Sequence, residues 1–294
     1  MRWKMRKIIL ILMVILWAGC TPKAVVEIRP LFTMETYPVI DGSTVTIPLS
    51  EALMATLTRK TVEEVRPYVL HNKTHQAYVN LIDHKANLIF VTGPSIEEST
   101  YAIKKQCELQ IIPIVSEAFV FLTNIDNPID SLTFEQIQKI YSGEITNWKE
   151  LGGEDVVIRA LQRPVNSGSQ TGFLDLVMKD LTPMDPPLDW IEDAMEGLIS
   201  SVSQYDNKPD AIGYSFYYYV TDMEVNPKVK MLKVDGIAPT PTTISNGSYP
   251  IRTNYYAVYC VDPETDKDAI RIVNYILSEE GQQLMENAGY VKLK

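Results

Sequence analysis

One stretch of the sequence combines a cation with small polar residues at a spacing suited to holding an anion. Arg163 is followed four residues later by Ser167, Gly168 and Ser169, just before the helical pattern TGFLDLVMKD. The free backbone N–H groups at a helix N-terminus and the positive end of the helix dipole favour a negative ligand. Glycine lets the backbone approach closely, and a guanidinium fits a tetrahedral oxyanion bidentately. Arg163, Ser167, Gly168, Ser169 and Gln170 are therefore the first candidate for an oxyanion site, although such residue types taken alone more often form a helix cap or a surface ion pair.

Two other predicted helix starts carry hydroxyl groups of the same kind. Ser43 and Thr44 precede Pro48, and Thr74 is predicted to cap a helix that begins at His75. We expect all three hydroxyls to contact the anion. Helix capping alone is the alternative role for such residues, and a surface ion pair is the alternative for Arg163.

Other chemistries find little support in the sequence. His71, His75 and His84 could suggest a metal site, but His71 precedes the predicted helix start and need not share a face with His75. The segment NSGS lacks the G-x-S-x-G pattern of a nucleophile elbow, and no histidine follows it. The aromatic run YSFYYY (214–219) is predicted to serve packing rather than sugar stacking. We therefore expect no catalysis, no metal and no cofactor.

Composition and charge narrow the possible partners. The chain has 294 residues, of which 46% are hydrophobic and 22% charged, and its net charge is −10. This composition is typical of a globular protein and excludes a disordered tail, a collagen or a disulfide-dense mini-domain. An acidic chain is poorly suited to nucleic acid, which is bound by basic surfaces. We expect no nucleic-acid partner.

The first twenty residues are predicted to be an export signal. Four basic residues in MRWKMRK precede an apolar run, 8–18, that is too short for a comfortable membrane span. The ending LWAGC resembles a bacterial lipobox, which predicts a lipid anchor at Cys20; a signal anchor with an incidental cysteine is the alternative. Removal of residues 1–20, which contain four basic residues and no acid, would change the net charge from −10 to −14. Residues 21–30 are predicted to be a tether.

Two cysteines remain after that signal. Cys107 ends a helical pattern and Cys260 ends a strand-like apolar run. An exported protein can form a disulfide, but about 150 residues separate the two and the spacing alone indicates no proximity. Two partly buried free thiols are therefore favoured over a disulfide.

The remaining chain alternates strand-like and helix-like segments, which predicts an α/β fold with parallel sheets. Two long extended runs, 109–124 and 249–262, suggest two crossings between two lobes, with Pro113 and Pro250 near a hinge. Helical patterns are predicted at 49–57, 75–84, 97–106, 131–143, 171–180, 195–204 and 268–289. Further strands are predicted at 86–93, 156–163, 211–220 and 229–236.

Five ordered motifs together resemble the PstS-like family of phosphate-binding proteins. They cover roughly residues 36 to 290 and are DGST-x-x-x-PL from Asp41, NP…LT-x-EQI…IYSG-x-ITNW-x-x-LGG from Asn127, RP-x-x-SGSQT from Arg163, AIGY from Ala211 and I…GSYPI from Ile244. The resemblance implies a type II periplasmic-binding-protein fold, two α/β lobes joined by two strands. It also implies capture of inorganic phosphate or a similar oxyanion for an ABC permease in the membrane.

The sequence departs from that family at one point. Phosphate binders of this family usually carry an Asp after the third strand, which accepts the proton of hydrogen phosphate. The matching segment here, 89–95, has no Asp; it offers Thr92 and Ser95, which we include among the expected ligand-binding residues. Hydroxyls both donate and accept, so they distinguish phosphate from sulfate less sharply than a carboxylate does.

These observations predict a monomeric, lipid-anchored solute receptor that faces away from the cytoplasm. Lobe one is expected to comprise residues 31–115 and 250–294, and lobe two residues 116–249. The alternative function is a structural or signalling lipoprotein of the same fold that has lost or changed its ligand.

Overall fold

The computed structural model describes residues 30–203, 210–261 and 267–293. The predicted signal peptide and Cys20 lie outside these residues. The strands are β1 (Ile40–Gly42), β2 (Leu88–Val91), β3 (Glu108–Asn124), β4 (Ser131–Leu132), β5 (Arg159–Ala160), β6 (Ala211–Phe216), β7 (Val229–Met231), β8 (Lys233–Val234) and β9 (Arg252–Val261).

Helices lie between most of these strands. They are α1 (Ile47–Thr58), α2 (Val62–Val65), α3 (Lys73–Ile82), α4 (Ile96–Lys105), α5 (Phe134–Ser142), α6 (Gly168–Phe173), α7 (Met195–Ser203), α8 (Pro241–Asn246), α9 (Lys267–Leu277) and α10 (Glu279–Asn287). Helix α6 continues into a π-helical turn, Leu174–Met178. No helix in the described ranges is long and apolar enough to cross a membrane.

The 17-residue strand β3 organises the sheet by changing partners along its length. Residues Glu108 to Ala118 pair with β9, and residues Phe119 to Thr123 pair with β6. The sheet order is β1-β2-β9-β3-β6-β5, with β7 also on β3. We call β1, β2 and β9 the first half of the sheet and β5, β6 and β7 the second half. The predicted long crossing strand is therefore confirmed for 109–124.

The prediction of parallel sheets is wrong in part. Strands β1 and β2 are parallel, as are β5 and β6, but β9 is antiparallel to both β2 and β3, and β3 is antiparallel to β6. The reason is the second long run, which returns across the sheet against β3. Only short parts of the predicted strands 156–163 and 229–236 pair in the sheet.

The expectation of free thiols is also wrong. Cys107 and Cys260 form a disulfide, with their Cα atoms 5.4 Å apart. Cys107 directly precedes β3, and Leu109 of β3 pairs with Cys260 of β9. The register of these two strands brings together residues that the sequence separates by 153 positions.

Local signals placed several helices correctly. The Thr133 hydroxyl accepts a hydrogen bond from the Gln136 backbone N–H and thereby caps α5, which ends at Gly143 in the left-handed conformation. A glycine there avoids the steric cost that a Cβ atom would impose. The 268–289 pattern is a helix pair, α9 and α10, that begins again at Ser278.

The core lies on both sides of β3, where aromatic rings pack against each other. Phe119 of β3 lies 5.3 Å from the ring of Tyr214, which stacks on Phe173 of α6 at 4.7 Å. All three side chains are fully buried. The packing role predicted for the aromatic run is confirmed at Tyr214, and this packing fixes α6 against the second half of the sheet.

Candidate anion-binding cavity

A cavity of about 510 Å³ lies between elements of the two halves of the sheet. On one side it is bounded by the chain after β1, the start of α3 and the end of β2. On the other it is bounded by the loop before α6, the start of α7 and the end of β6. Eight of the ten predicted ligand-binding residues line it: Ser43, Thr44, Thr74, Thr92, Arg163, Ser167, Gly168 and Ser169.

The protein backbone holds the Arg163 side chain in place. Its Nε donates to the carbonyl oxygen of Glu192 at 2.6 Å, and its Nη2 donates to that of Asp193 at 3.0 Å. Its Nη1 lies 3.3 Å from the Ser169 hydroxyl, to which it donates. These bonds fix the guanidinium and leave part of its five-donor fork for a ligand.

Arg163 forms no ion pair with an acidic side chain of the described residues. Among the described residues, no carboxylate oxygen lies within 4.0 Å of its nitrogens, so the surface ion pair considered from the sequence is absent. Burial lowers the pKa of Arg163, because desolvation disfavours the charged form. A largely buried cation held by neutral carbonyls is suited to an anionic partner.

The N-terminus of α6 faces the same cavity. The Ser167 hydroxyl accepts the backbone N–H of Gln170 at 3.2 Å and so caps the helix. The predicted helix therefore begins at Gly168 rather than Thr171. Ser167 therefore caps the helix and also lines the cavity, and its contact with a ligand stays a prediction.

Gly168 brings the two sides of the cavity into close contact. A Cβ atom at this position would lie 2.4 Å from Thr74 Oγ1 and 2.8 Å from Thr92 Oγ1. Thr74 belongs to α3 and Thr92 follows β2, both on the first half of the sheet. The absence of a side chain at residue 168 is therefore required for this approach.

Thr92 carries an unpaired polar atom at the centre of this contact. Its side chain is only 5% exposed, and its Oγ1 has no hydrogen-bond partner in the described part of the chain. Its carbonyl oxygen is fixed by the Tyr78 hydroxyl at 2.8 Å. Buried polar groups normally have a partner, so this hydroxyl is available to a ligand.

The structure corrects the local prediction for Thr74. Helix α3 begins at Lys73, so Thr74 is its second residue and not the cap of a helix that starts at His75. Ser43 likewise makes no capping hydrogen bond to the 3₁₀ turn that follows it, Thr44–Thr46. Both hydroxyls line the cavity without a capping role.

Ser95 and Gln170 lie outside the cavity lining. Ser95 caps α4 in a reciprocal arrangement with Glu98. Gln170 accepts the backbone N–H of Arg163 at 3.0 Å and also accepts from the Tyr214 hydroxyl. Gln170 thus holds the backbone of Arg163 in place. The cavity geometry does not support the prediction that Ser95 or Gln170 contacts the ligand directly.

Several ionisable residues at the cavity were missed from the sequence. Lys73 and His75 flank Thr74, while Asp193 and Glu196 lie at the start of α7, opposite α3. The basic residues beside Thr74 are visible in the run HNKTHQ, but nothing in the sequence indicates that residues 193–196 line the same cavity. The acids are exposed whereas Arg163 is largely buried, so the positive charge lies deeper.

The histidines do not assemble a metal site. No group of three or more His, Cys, Asp or Glu residues in the described ranges is placed to bind a metal ion. His71 Nδ1 donates to the Ser43 carbonyl oxygen at 2.8 Å and its Nε2 lies 2.9 Å from the Ser50 hydroxyl. Burial lowers the pKa of His71, which favours the neutral ring.

The chain belongs to the PBP superfamily. The profile of the PBP superfamily domain matches residues 35–280. This family consists of solute-binding proteins rather than enzymes, and the match confirms the two-lobed PBP-like α/β fold.

Within that class the chain is PstS-like, as the five motifs predicted. It is 28% identical to the phosphate-binding protein PstS of Borreliella burgdorferi over 60% of this chain and 64% of that protein. It is 30% identical to the Bacillus subtilis PstS over 57% of this chain and 52% of that protein. The alignments thus span about half to two thirds of these relatives' length.

Solved structures agree over a larger share of the chain. A Clostridium perfringens protein assigned as a phosphate ABC transporter substrate-binding protein, solved with bound phosphate, is 29% identical. The alignment covers 87% of this chain and 98% of that one, with a TM-score of 0.68. A phosphate transport receptor from Vibrio cholerae, at 22% identity and a TM-score of 0.61, shares the fold.

Proposed function

We propose that the chain is an extracytoplasmic binding protein that captures inorganic phosphate in the cavity and delivers it to an ABC permease. One observation carries the proposal: the Arg163 guanidinium is largely buried, lacks a carboxylate partner among the described residues and faces hydroxyl-bearing residues. A tetrahedral oxyanion would supply the missing negative charge. No covalent step is needed, and none of the lining residues is assigned a catalytic role.

The lining matches the chemistry of phosphate. Arg163 would bind two of its oxygens through charge-assisted hydrogen bonds. Ser169 and Thr74 supply hydroxyls, and the N-terminus of α6 supplies backbone N–H groups. Thr92 Oγ1, which lacks a partner, would accept the proton of hydrogen phosphate or donate to a bare oxygen. The phosphate-binding relatives and the phosphate-bound neighbour support this assignment.

The proposal includes closure of two lobes around the ligand. The assignment of 31–115 with 250–294 to lobe one and 116–249 to lobe two is supported by β3, whose pairing changes from β9 to β6 between Ala118 and Phe119. Such a junction suits a hinge. The close approach of Gly168 to Thr74 corresponds to a closed cleft.

Anchoring through Cys20 and a monomeric state complete the proposal. The charged start, the short apolar run and the AGC ending support processing as a lipoprotein. PstS-type binding proteins act outside the cytoplasm. A lipid anchor would keep the receptor beside its permease.

A thermal-shift comparison of the purified protein with phosphate and sulfate tests the proposal. Ligand that binds only the native state stabilises it by RT ln(1 + [L]/Kd), about 2.7 kcal/mol at a hundredfold excess over Kd. We expect a rise in melting temperature with phosphate that exceeds the rise with sulfate. No rise with either anion at concentrations on the order of millimolar would reject oxyanion binding.

Thr92 also favours a second candidate, a lipoprotein of the same fold with a changed ligand. A hydroxyl stands where the family's phosphate binders usually have a carboxylate, and a hydroxyl does not repel a fully ionised oxyanion. A larger shift with sulfate than with phosphate would support this candidate over phosphate capture.

A further inference from the structure

His75 lies at the border of the anion-binding cavity and has a buried acidic partner. It stands in the first turn of α3 beside Lys73 and Thr74, and all three residues line the cavity. Its Nδ1 lies 3.1 Å from Oε1 of Glu98 on α4. His75 and Glu98 both line a second cavity between α3 and α4, and of the two only His75 also lines the anion-binding cavity.

Glu98 is held so that its carboxylate faces the ring. Its side chain is 1% exposed, and its Oε2 accepts the backbone N–H of Ser95 at 2.7 Å. Ser95 in turn accepts the backbone N–H of Glu98 at 3.2 Å. Burial raises the pKa of Glu98, and an ionised carboxylate this deep requires a partner. The capping arrangement of α4 thus determines the position of His75.

The pairing leaves one ring nitrogen for a ligand. A protonated imidazole donates from both nitrogens, whereas a neutral ring donates from only one. With Nδ1 directed at Glu98, Nε2 is the nitrogen that remains, and it has no hydrogen-bond partner among the described residues. The His75 side chain is 39% exposed, so solvent can supply a proton.

We propose that His75 is a proton-linked part of the oxyanion site. The proposal rests on phosphate being the ligand. When the anion enters, a proton passes from solvent or buffer to the ring, and Nε2–H donates to a phosphate oxygen while Nδ1–H donates to Glu98. The imidazolium then lies between two negative groups, each of which favours its charged form.

Besides Glu98, charged residues of both signs line the two cavities that His75 borders. Lys73 and Arg163 at the cavity and Lys104 on α4 disfavour a protonated ring, whereas Asp193 and Glu196 across the cavity favour it. Glu97 on α4 also favours it but is engaged by the Asn166 side chain. Burial raises the pKa of Tyr78, so its phenol adds no charge beside the ring. A bound anion adds negative charge on the cavity side of the ring, so proton uptake should accompany binding.

The histidine content makes the proposal directly observable. The chain has three histidines. His84 is exposed just beyond the C-terminal end of α3, and the helix from His75 to Ile82 is about 10 Å long at 1.5 Å per residue. His71 is hydrogen-bonded through both nitrogens. Carbon-detected or carbon-edited NMR of the ring Cε1–H groups, assigned with His→Gln variants, therefore separates the three sites.

The experiment adds phosphate to the protein at neutral pH while the ring signals are followed. We expect the His75 signal to move toward the imidazolium position and to saturate with the calorimetric Kd, while His84 stays in place. Calorimetric titration in two buffers of different ionisation enthalpy measures the number of protons taken up on binding. This number should be smaller for His75→Gln than for wild type. The protonation of phosphate itself contributes equally to both and drops out of the comparison. The affinity of the same variant for phosphate should fall by about tenfold at most. Glu98→Gln, which retains the ring but removes its anionic partner, should also take up fewer protons.

The results distinguish this inference from the proposed function. If wild type binds phosphate while the His75 signal stays unmoved, or if His75→Gln takes up as many protons as wild type, the inference is overturned and phosphate binding stands. If wild type fails to bind phosphate, the proposed function and this inference fall together.

Discussion

Gly168 and Thr74 approach each other so closely that a methyl group at residue 168 would lie 2.4 Å from the threonine hydroxyl. The two residues belong to elements on opposite halves of the sheet. Gly168 has no left-handed backbone angle, so its own helix places no demand for glycine there. The contact between the two sides of the cavity is what requires it.

Gly168→Ala should therefore weaken phosphate binding without harming the fold. Gly168 has an ordinary helical backbone, and the cavity sides can separate when no ligand is bound, so the melting temperature without ligand should stay close to that of wild type. The added methyl group would hold the cavity sides apart, and we expect an affinity loss of about tenfold or more by calorimetry. Gly93→Ala is the matched control, because a Cβ atom there meets nothing within 4 Å. Wild-type affinity in Gly168→Ala would show that the close approach is not needed for binding.

Thr92→Asp should sharpen the choice between phosphate and sulfate. A carboxylate accepts the proton of hydrogen phosphate but repels sulfate, which has no proton to offer. We expect the ratio of the two affinities to rise by about tenfold or more. Thr92→Val, which removes the hydroxyl and keeps the shape, serves as the control and should weaken both anions. If Thr92→Asp has the same ratio of phosphate to sulfate affinity as wild type, residue 92 does not contact the proton of the bound anion.

Glu117 should make the stability of the fold depend on pH. This residue of β3 is buried, and its Oε1 accepts the backbone N–H groups of Ala118 at 2.8 Å and Tyr218 at 3.4 Å. Burial raises the pKa of Glu117 from 4.5 to about 7. The native state therefore holds the proton of Glu117 more tightly than the unfolded state does. The stability that this proton adds to the native state is fully present below about pH 4.5 and is lost as the pH rises through about 7.

Replacement by glutamine tests that sign. Glu117→Gln keeps an oxygen acceptor and cannot ionise, so its stability relative to wild type should rise between pH 4.5 and 7 by about 3 kcal/mol at most. Chemical denaturation at several pH values measures the difference. A difference that stays constant across this window would mean that Glu117 does not titrate there.

The parts of the site that sequence predicted are those encoded locally. Arg163 and Ser167–Ser169 lie within one short stretch, and the cap at Thr133 depends on a residue three positions away. The Cys107–Cys260 disulfide depends on strand register. The placement of His75 and Asp193 on one cavity depends on packing between the two halves of the sheet. No local pattern encodes either. The prediction for Thr74 is wrong because a hydroxyl before a helical pattern resembles a cap, whereas the helix begins two residues before His75, at Lys73.

Cys20→Ala should release the protein from the membrane or leave it with its signal uncleaved. The expectation rests on the basic start and the apolar run that ends in AGC. Membrane fractionation and a shift in gel mobility report the outcome, and Thr21→Ala serves as a neighbouring control that keeps the cysteine. Equal retention and mobility of Cys20→Ala and wild type would contradict a lipid anchor.

The central claim is that Arg163 binds the anion, and calorimetric titration of phosphate into Arg163→Ala tests it most directly. Charge-assisted hydrogen bonds contribute about 1.5–3 kcal/mol each, so the affinity should fall roughly ten- to hundredfold or more. Arg66→Ala, which removes the same charge from a surface pair with Glu51 away from the cavity lining, should bind like wild type. If Arg163→Ala folds and binds phosphate as tightly as wild type, the cavity around Arg163 is not the anion site.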